Sequence, residues 1–237
     1  MNTYNLYVDS IETMGLLDGP GVRVVVFLSG CNLRCLYCHN PETWACKGKE
    51  YTVDELYEII MKYYNYIKNG GVTFSGGEPL LQASNLKFLV KKLKASDINV
   101  AIDTAGYIDV NKDVSEVLKT SDLIIMDVKA TDKDEYLKIT RGNIKLQDDF
   151  IKAINRLDTE VWIRQVIVPG INDDEAHINS LNNYVKQVKN LSKVELLGYH
   201  DMAIDKYKKL KIPYLLMDTP RLTDERLSQL QNMVKIG

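Results

Sequence analysis

Val22-Arg23-Val24-Val25-Val26-Phe27-Leu28 runs directly into Ser29-Gly30-Cys31-Asn32-Leu33-Arg34-Cys35-Leu36-Tyr37-Cys38-His39-Asn40. The first part is β-branched and almost wholly apolar, the pattern of a strand buried on both faces. Such strands belong to parallel sheets covered by helices. The second part is a loop at the strand's end with three Cys at C-x3-C-x2-C spacing.

The rest of the chain keeps the strand-then-helix rhythm. Thr52 and Glu55 form a capping-box pattern before Leu56, Ile59, Ile60, Tyr63 and Ile67, which repeat at helical spacing. Asn69-Gly70-Gly71 ends that helix, and Val72-Thr73-Phe74 leads a strand into Ser75-Gly76-Gly77-Glu78-Pro79. Ser84 is the expected cap of a helix burying Leu86, Leu89, Val90 and Leu93. Strands follow at 98–103, 123–128, 161–168 and 194–199. Helices are marked by Val114, Val117 and Leu118; by Phe150, Ile151, Ile154 and Leu157; by Ile178, Leu181, Val185 and Val188; and by a closing segment over 223–234.

That is about six β/α units, with parallel strands inside and helices outside. A closed eight-unit barrel typically takes about 250 residues. The expected fold class is therefore α/β, a partial, open parallel β/α barrel of about six units with an N-terminal extension. One domain over 1–237 is expected. Residues 1–20 are the extension, with 4–11 adding a strand or hairpin, and 201–222 form an irregular Lys/Tyr-rich segment before the last helix.

Composition narrows the function class. Thirty Lys and Arg against 32 Asp and Glu give a formal net charge of −2. Without a basic excess, general nucleic-acid binding is not expected. The start lacks a signal-peptide pattern, and no apolar run approaches the roughly 20 residues that span a bilayer. A cytoplasmic, monomeric protein that does not engage membranes is expected. The four Cys, at 31, 35, 38 and 46, crowd into one short stretch. A disulfide scaffold would spread them to close loops, so a metal or cluster site in a reducing compartment is indicated.

C-x3-C-x2-C can converge three thiolates on one centre. On a four-iron cluster, three thiolates leave one iron open for substrate, whereas electron-transfer clusters usually take four Cys. Spacing alone leaves zinc open, with His39 or Cys46 as a fourth ligand or with water in a catalytic arrangement. Cys46 matches no ligand spacing and reads as a bystander thiol.

With Tyr37 just before the third Cys, this loop resembles the radical S-adenosylmethionine superfamily. Asp18-Gly19-Pro20-Gly21-Val22-Arg23, Ser29-Gly30-Cys31 and Tyr37-Cys38-His39-Asn40-Pro41-Glu42-Thr43-Trp44 resemble the glycyl-radical-enzyme activases, most of all those of the pyruvate formate-lyase type. The resemblance continues through Trp162-Ile163-Arg164 and Tyr199-His200. It implies that Cys31, Cys35 and Cys38 hold a 4Fe–4S cluster whose open iron binds S-adenosylmethionine. Reductive cleavage would yield a deoxyadenosyl radical that takes hydrogen from a glycine Cα of a partner protein. It further implies a flavodoxin or ferredoxin as electron donor. The extra Cys-rich insert of some activases is absent, which favours the simpler type. The alternatives are another glycyl radical enzyme as target, a small-molecule substrate as in the similar carboxy-deazaguanine synthases, or a zinc-binding module without catalysis.

The resemblance also implies a cofactor site of Tyr37, Gly76, Gly77, Glu78, Asp103, Thr104, Asp127, Lys129, Arg164 and His200. Gly76-Gly77-Glu78 would hold the methionine amino group, with Glu78 neutralising the ammonium. Asp103, Thr104, Asp127 and Lys129 end two strands, where barrel mouths form, and would surround the methionine carboxylate. Two Asp beside that carboxylate invite a bound monovalent cation. Arg164, in a buried strand, needs a partner, either the cofactor's carboxylate or Asp127. His200 would touch the adenosine, and His39 would shape the cluster pocket.

Overall fold

The computed structural model describes residues 4–236. Its strands and helices are β1 (Asn5–Gly15), β2 (Arg23–Leu28), β3 (Lys49–Thr52), α1 (Val53–Met61), α2 (Tyr64–Ile67), β4 (Gly71–Gly76), α3 (Ala83–Lys94), β5 (Val100–Thr104), α4 (Lys112–Thr120), β6 (Leu123–Asp127), α5 (Lys133–Thr140), α6 (Ile144–Ile154), β7 (Glu160–Ile167), α7 (Glu175–Val185), β8 (Leu191–Gly198), α8 (Ile204–Leu210) and α9 (Asp224–Gln231). One eight-stranded sheet runs β3-β1-β2-β4-β5-β6-β7-β8. From β2 to β8 every neighbouring pair is parallel, while β1 pairs antiparallel with both β2 and β3. The six parallel strands are the six expected units. β3 and β8 are the two edges, so the barrel is open.

Strand pleating divides the side chains. Val24, Val26, Leu28, Val72, Phe74, Ile102, Ile124, Met126 and Ile163 turn outward into the helices and join the main apolar core. Their neighbours Arg23, Thr73, Ser75, Asp103, Asp127 and Arg164 turn inward. Polar residues inside a barrel need partners, and they find them on the segment between β1 and β2. Thr73 Oγ1 donates to the Asp18 carbonyl, Arg23 Nη1 to the Pro20 carbonyl (3.1 Å), and Arg164 Nη2 to the Leu17 carbonyl. The segment around 17–20 thus lies along the inner face of the sheet. Arg23 is fully buried, and its remaining donors reach Thr73 Oγ1 (2.7 Å), the carbonyls of Gly70 (2.6 Å) and Val72 (2.7 Å), and Asn99 Oδ1 (3.0 Å).

Several local expectations are corrected. The Thr52/Glu55 capping box forms, but the helix expected through Ile67 breaks between α1 and α2. Ser84 does not cap α3. A 3-10 turn over Pro79–Gln82 leads into that helix, and Ser84 falls inside its first turn. β3 and α5 were not expected. Residues 201–222 are not wholly irregular, because α8 lies within them. Ala203 and Tyr207 are buried while Lys208 and Lys209 stay exposed, so a short amphipathic turn is hidden in a Lys-rich stretch. Among the described residues no helix is long and apolar enough to cross a membrane.

Candidate active site

The C-terminal ends of β2, β4, β5 and β6, with the inner face of β7 and the residues after β8, enclose an open-mouthed cavity of about 460 Å³. Of the residues expected there, all but Glu78 line it: Cys31, Cys35, Cys38, Tyr37, Gly76, Gly77, Asp103, Thr104, Asp127, Lys129, Arg164 and His200.

The cysteine loop is fixed from several sides by backbone bonds. Gly30 N donates to the Thr43 carbonyl (2.7 Å) and Cys31 N to the Trp44 carbonyl (3.2 Å). Arg34 N and Leu36 N donate to the carbonyls of Thr140 (3.0 Å) and Ile139 (2.9 Å) at the end of α5. All four Cys are free, but only the three motif thiols line the cavity, while Cys46 is exposed. Burial pushes the Cys31 thiol up to about 11 and Cys35 up to about 12, and raises Cys38 as well. Thiolates here would need a cationic partner, which an iron–sulfur cluster supplies. Three thiols on one loop suit a four-iron cluster that leaves one iron open.

Gly76 and Gly77 sit where no side chain fits. Gly76 has φ +111°, and a Cβ there would lie 2.3 Å from the Leu28 carbonyl oxygen. A Cβ on Gly77 would lie 2.2 Å from the Gly30 carbonyl oxygen. The glycines therefore let β4's end lie directly against the start of the cysteine loop. Gly77 N and Glu78 N close the contact by donating to the carbonyls of Leu28 and Gly30, both at 2.8 Å.

Glu78 departs from the expectation that it faces an ammonium group. It is buried behind the wall, accepting from Thr104 Oγ1 (2.7 and 2.9 Å), Ala105 N (3.1 Å) and Leu80 N (3.2 Å). It ties the ends of β4 and β5 together. Burial lifts its carboxyl from 4.5 to about 7.

Arg164 lines the cavity, but its protein partner is Glu195 rather than the expected Asp127. Its backbone is in register with Asp127 on one side and Glu195 on the other. Lys129 Nζ takes Asp127 Oδ2, and Arg164 Nε pairs with Glu195 (2.8 Å). Asp103 accepts from Ser75 Oγ (2.8 Å), and burial raises its carboxyl to about 6. Lys129, over the Tyr37 ring at 5.5 Å, places an ammonium beside Asp127 where a monovalent cation was expected.

Four buried polar atoms at the cavity have no protein partner: Tyr37 OH, Asp127 Oδ1, His39 Nε2 and His200 Nδ1. The two imidazoles stack at 3.9 Å between centroids, and burial lowers the pKa of both, His39 to about 4. Both are neutral at pH 7. Orphaned buried polar atoms are costly and rare, and four of the nine among the described residues belong to residues lining this one cavity. Asp18 and Trp44 also line it. Both stood in the quoted motif stretches, yet neither spacing nor hydropathy marked them as site residues.

Comparison with known proteins agrees with this geometry. The model of a 4Fe-4S single cluster domain matches residues 17–145, more than half of the chain. The chain is 46% identical to the pyruvate formate-lyase-activating enzyme of Clostridium pasteurianum, over 96% of each chain. It is 40% identical to that of Staphylococcus epidermidis, over 98% of this chain and 96% of the other. In fold it resembles the crystal structure of a domain of pyruvate-formate lyase-activating enzyme from Bacteroides vulgatus. The TM-score is 0.57 at 24% identity, over 70% of this chain and 92% of that one. The chain belongs to the pyruvate formate-lyase-activating enzyme family, within the radical S-adenosylmethionine enzymes.

Proposed function

We propose that this chain activates a glycyl radical enzyme of the pyruvate formate-lyase type, using S-adenosylmethionine at a 4Fe–4S cluster held by Cys31, Cys35 and Cys38. The observation that carries the reading is that one open-mouthed cavity is lined by the three motif cysteines and by four residues with an orphaned polar atom. Bound there, the cluster and S-adenosylmethionine would supply one-electron chemistry: sulfonium cleavage and hydrogen abstraction from a glycine Cα.

The chain's own residues bind and orient. Gly76 and Gly77 let the end of β4 close on the start of the cysteine loop, so that backbone beside Cys31 can meet the methionine amino group. Asp103, Thr104, Asp127 and Lys129 surround its carboxylate, with the Lys129 ammonium as countercharge and Arg164 deeper in the wall. A monovalent cation near Asp103 and Asp127 would add to that neutralisation. The neutral His39–His200 stack and Tyr37 offer flat faces and unpaired polar atoms to the rest of the cofactor. Glu78 acts indirectly, by fixing Thr104. The open mouth leaves room for a backbone loop of a protein substrate.

The test is anaerobic incubation of reconstituted protein with S-adenosylmethionine, a reductant and pyruvate formate-lyase. A glycyl-radical doublet in electron spin resonance is expected. Cofactor cleavage without a protein radical would contradict the target and favour a small-molecule substrate.

A further inference from the structure

α6 buries Gln147, Phe150, Ile151 and Ile154 along one stripe, and Gln147 is its polar member, with no exposed surface. Helical spacing would place an apolar residue there. The reason for an amide lies one layer further in, where the chain leaves the sheet after β6. Val128 N still pairs with the Arg164 carbonyl, but Lys129 and Ala130 lie past the end of β6 and remain buried. Buried backbone groups need partners, and Gln147 supplies them. Lys129 N donates to Gln147 Oε1 (3.0 Å), and Gln147 Nε2 donates to the Ala130 carbonyl (3.0 Å). Nε2 also donates to Tyr184 OH of α7 (2.8 Å), which donates in turn to Asp148 (2.6 Å).

A backbone N–H only donates and a carbonyl only accepts, so these partners fix which way round the Gln147 amide lies. An ionised Glu has no donor for the Ala130 carbonyl, and an apolar side chain would leave both backbone groups buried and unpaired. The clamp grips the segment that carries Lys129. The Lys129 ammonium takes Asp127 and lies over the Tyr37 ring at 5.5 Å, and all three residues line the cavity. A lysine head sits on a flexible four-carbon stem, so its place in the cavity is only as well defined as its backbone. Gln147 itself belongs to the helix layer, outside the cavity lining.

We propose that Gln147 is a positioning residue for the cofactor site: by clamping the backbone at Lys129 and Ala130 it sets the Lys129 ammonium in the cavity. The proposal rests on the proposed function and adds a residue of the helix layer to the machinery that holds a carboxylate there. Gln147 touches neither cofactor nor substrate and acts only through Lys129. Without the amide, the Lys129 N–H and the Ala130 carbonyl lose their partners, the turn shifts to find others, and the ammonium moves with it. A countercharge that grips the carboxylate alike before and during reaction contributes uniform binding. Loss of Gln147 should therefore raise KM for S-adenosylmethionine and leave kcat nearly unchanged.

The test is a double-mutant cycle on S-adenosylmethionine binding to the reconstituted protein, with Gln147→Met, Lys129→Met and the two combined. Gln147→Met should bind about tenfold more weakly and should cost nothing further once Lys129 is gone. Losses that multiply in the double variant, or wild-type affinity in Gln147→Met, would overturn the proposal, because Gln147 would then be an ordinary core residue. A second readout needs no cofactor. Amine labelling of the iron-free protein, mapped by mass spectrometry, should run several-fold faster at Lys129 in Gln147→Met than in wild type. Labelling of Lys87, held by Asp113 of α4 at 2.7 Å, should not change. Equal rates at Lys129 would overturn the proposal, and so would an equal rise at Lys87, which marks general loosening. Should Gln147→Met fail to fold, Gln147→Glu, which keeps the acceptor for Lys129 N, repeats both comparisons. Absence of S-adenosylmethionine binding by the reconstituted wild type would sink the proposed function instead, while the labelling still judges the clamp.

Discussion

Two parts of the cavity wall differ in how completely they satisfy themselves. On the wall built by the ends of β4 and β5, the Gly77 and Glu78 amides, the Glu78 carboxylate and the Thr104 hydroxyl are paired within the protein, and the glycines are packed to the limit of backbone contact. Elsewhere on the wall, Tyr37 and His39 of the cysteine loop, Asp127 at the end of β6 and His200 after β8 each bury a polar atom with no partner. Unsatisfied buried groups persist where something outside the chain satisfies them. The first group therefore acts foremost as a support for the cofactor site, and the second as a receptor. Substitutions on the support should register as stability, and substitutions on the receptor as binding.

The largest effect is expected from the thiols. Replacing Cys31, Cys35 or Cys38 by Ala should remove most of the roughly four irons taken up on reconstitution and abolish cofactor cleavage, while Cys46→Ser should keep both. Loss of iron from Cys46→Ser would show that the ligand set is drawn wrongly. Next comes Gly77→Ala on the support, where a new Cβ collides with the Gly30 carbonyl. A cost of about 1–3 kcal/mol in thermal or denaturant unfolding is expected. Thr104→Val, which takes the hydroxyl donor from buried Glu78, should cost about 1–2 kcal/mol.

The same wall predicts a pH effect. Glu78 and Asp103 titrate higher in the fold, at about 7 and about 6, than their ordinary 4.5 and 3.8. The folded chain then holds more protons than the unfolded chain between about pH 4 and 7. Their contribution to stability is fully present below that window and is lost as pH rises through it. Melting of the iron-free protein should show this decline, and Glu78→Gln should flatten it. The smallest stability effect is expected from Tyr37→Phe on the receptor, within about 0.5 kcal/mol, accompanied by weaker S-adenosylmethionine binding. A large drop in melting temperature with unchanged binding would erase the distinction between the two groups.

Much of this architecture was legible before any coordinates. The six parallel strands announced themselves as β-branched runs, and Cys31, Cys35 and Cys38 by spacing. What stayed hidden had weak local patterns or distant partners. β3 is Lys-Glu-Tyr-Thr, an edge strand whose existence depends on pairing with β1. α5 buries only Tyr136, Ile139 and Thr140. Arg164 needed a partner, but Asp127 and Glu195 flank it equally, and only the competing claim of Lys129 decides which it takes. Gly76-Gly77-Glu78 stood out as a motif, yet its spacing did not show that Glu78 points away from the cavity. The 17–20 segment followed the same rule, because its carbonyls are drawn to Thr73, Arg23 and Arg164 from three separate strands.

The claim at the centre of this account is that the cavity transfers hydrogen from a glycine Cα of another protein. Pyruvate formate-lyase with Cα-deuterated glycine, incubated anaerobically with the reconstituted chain, S-adenosylmethionine and a reductant, tests it directly. The account predicts deuterium in the 5′-deoxyadenosine product, in step with the glycyl-radical signal. Deoxyadenosine that forms at full rate without deuterium would contradict it.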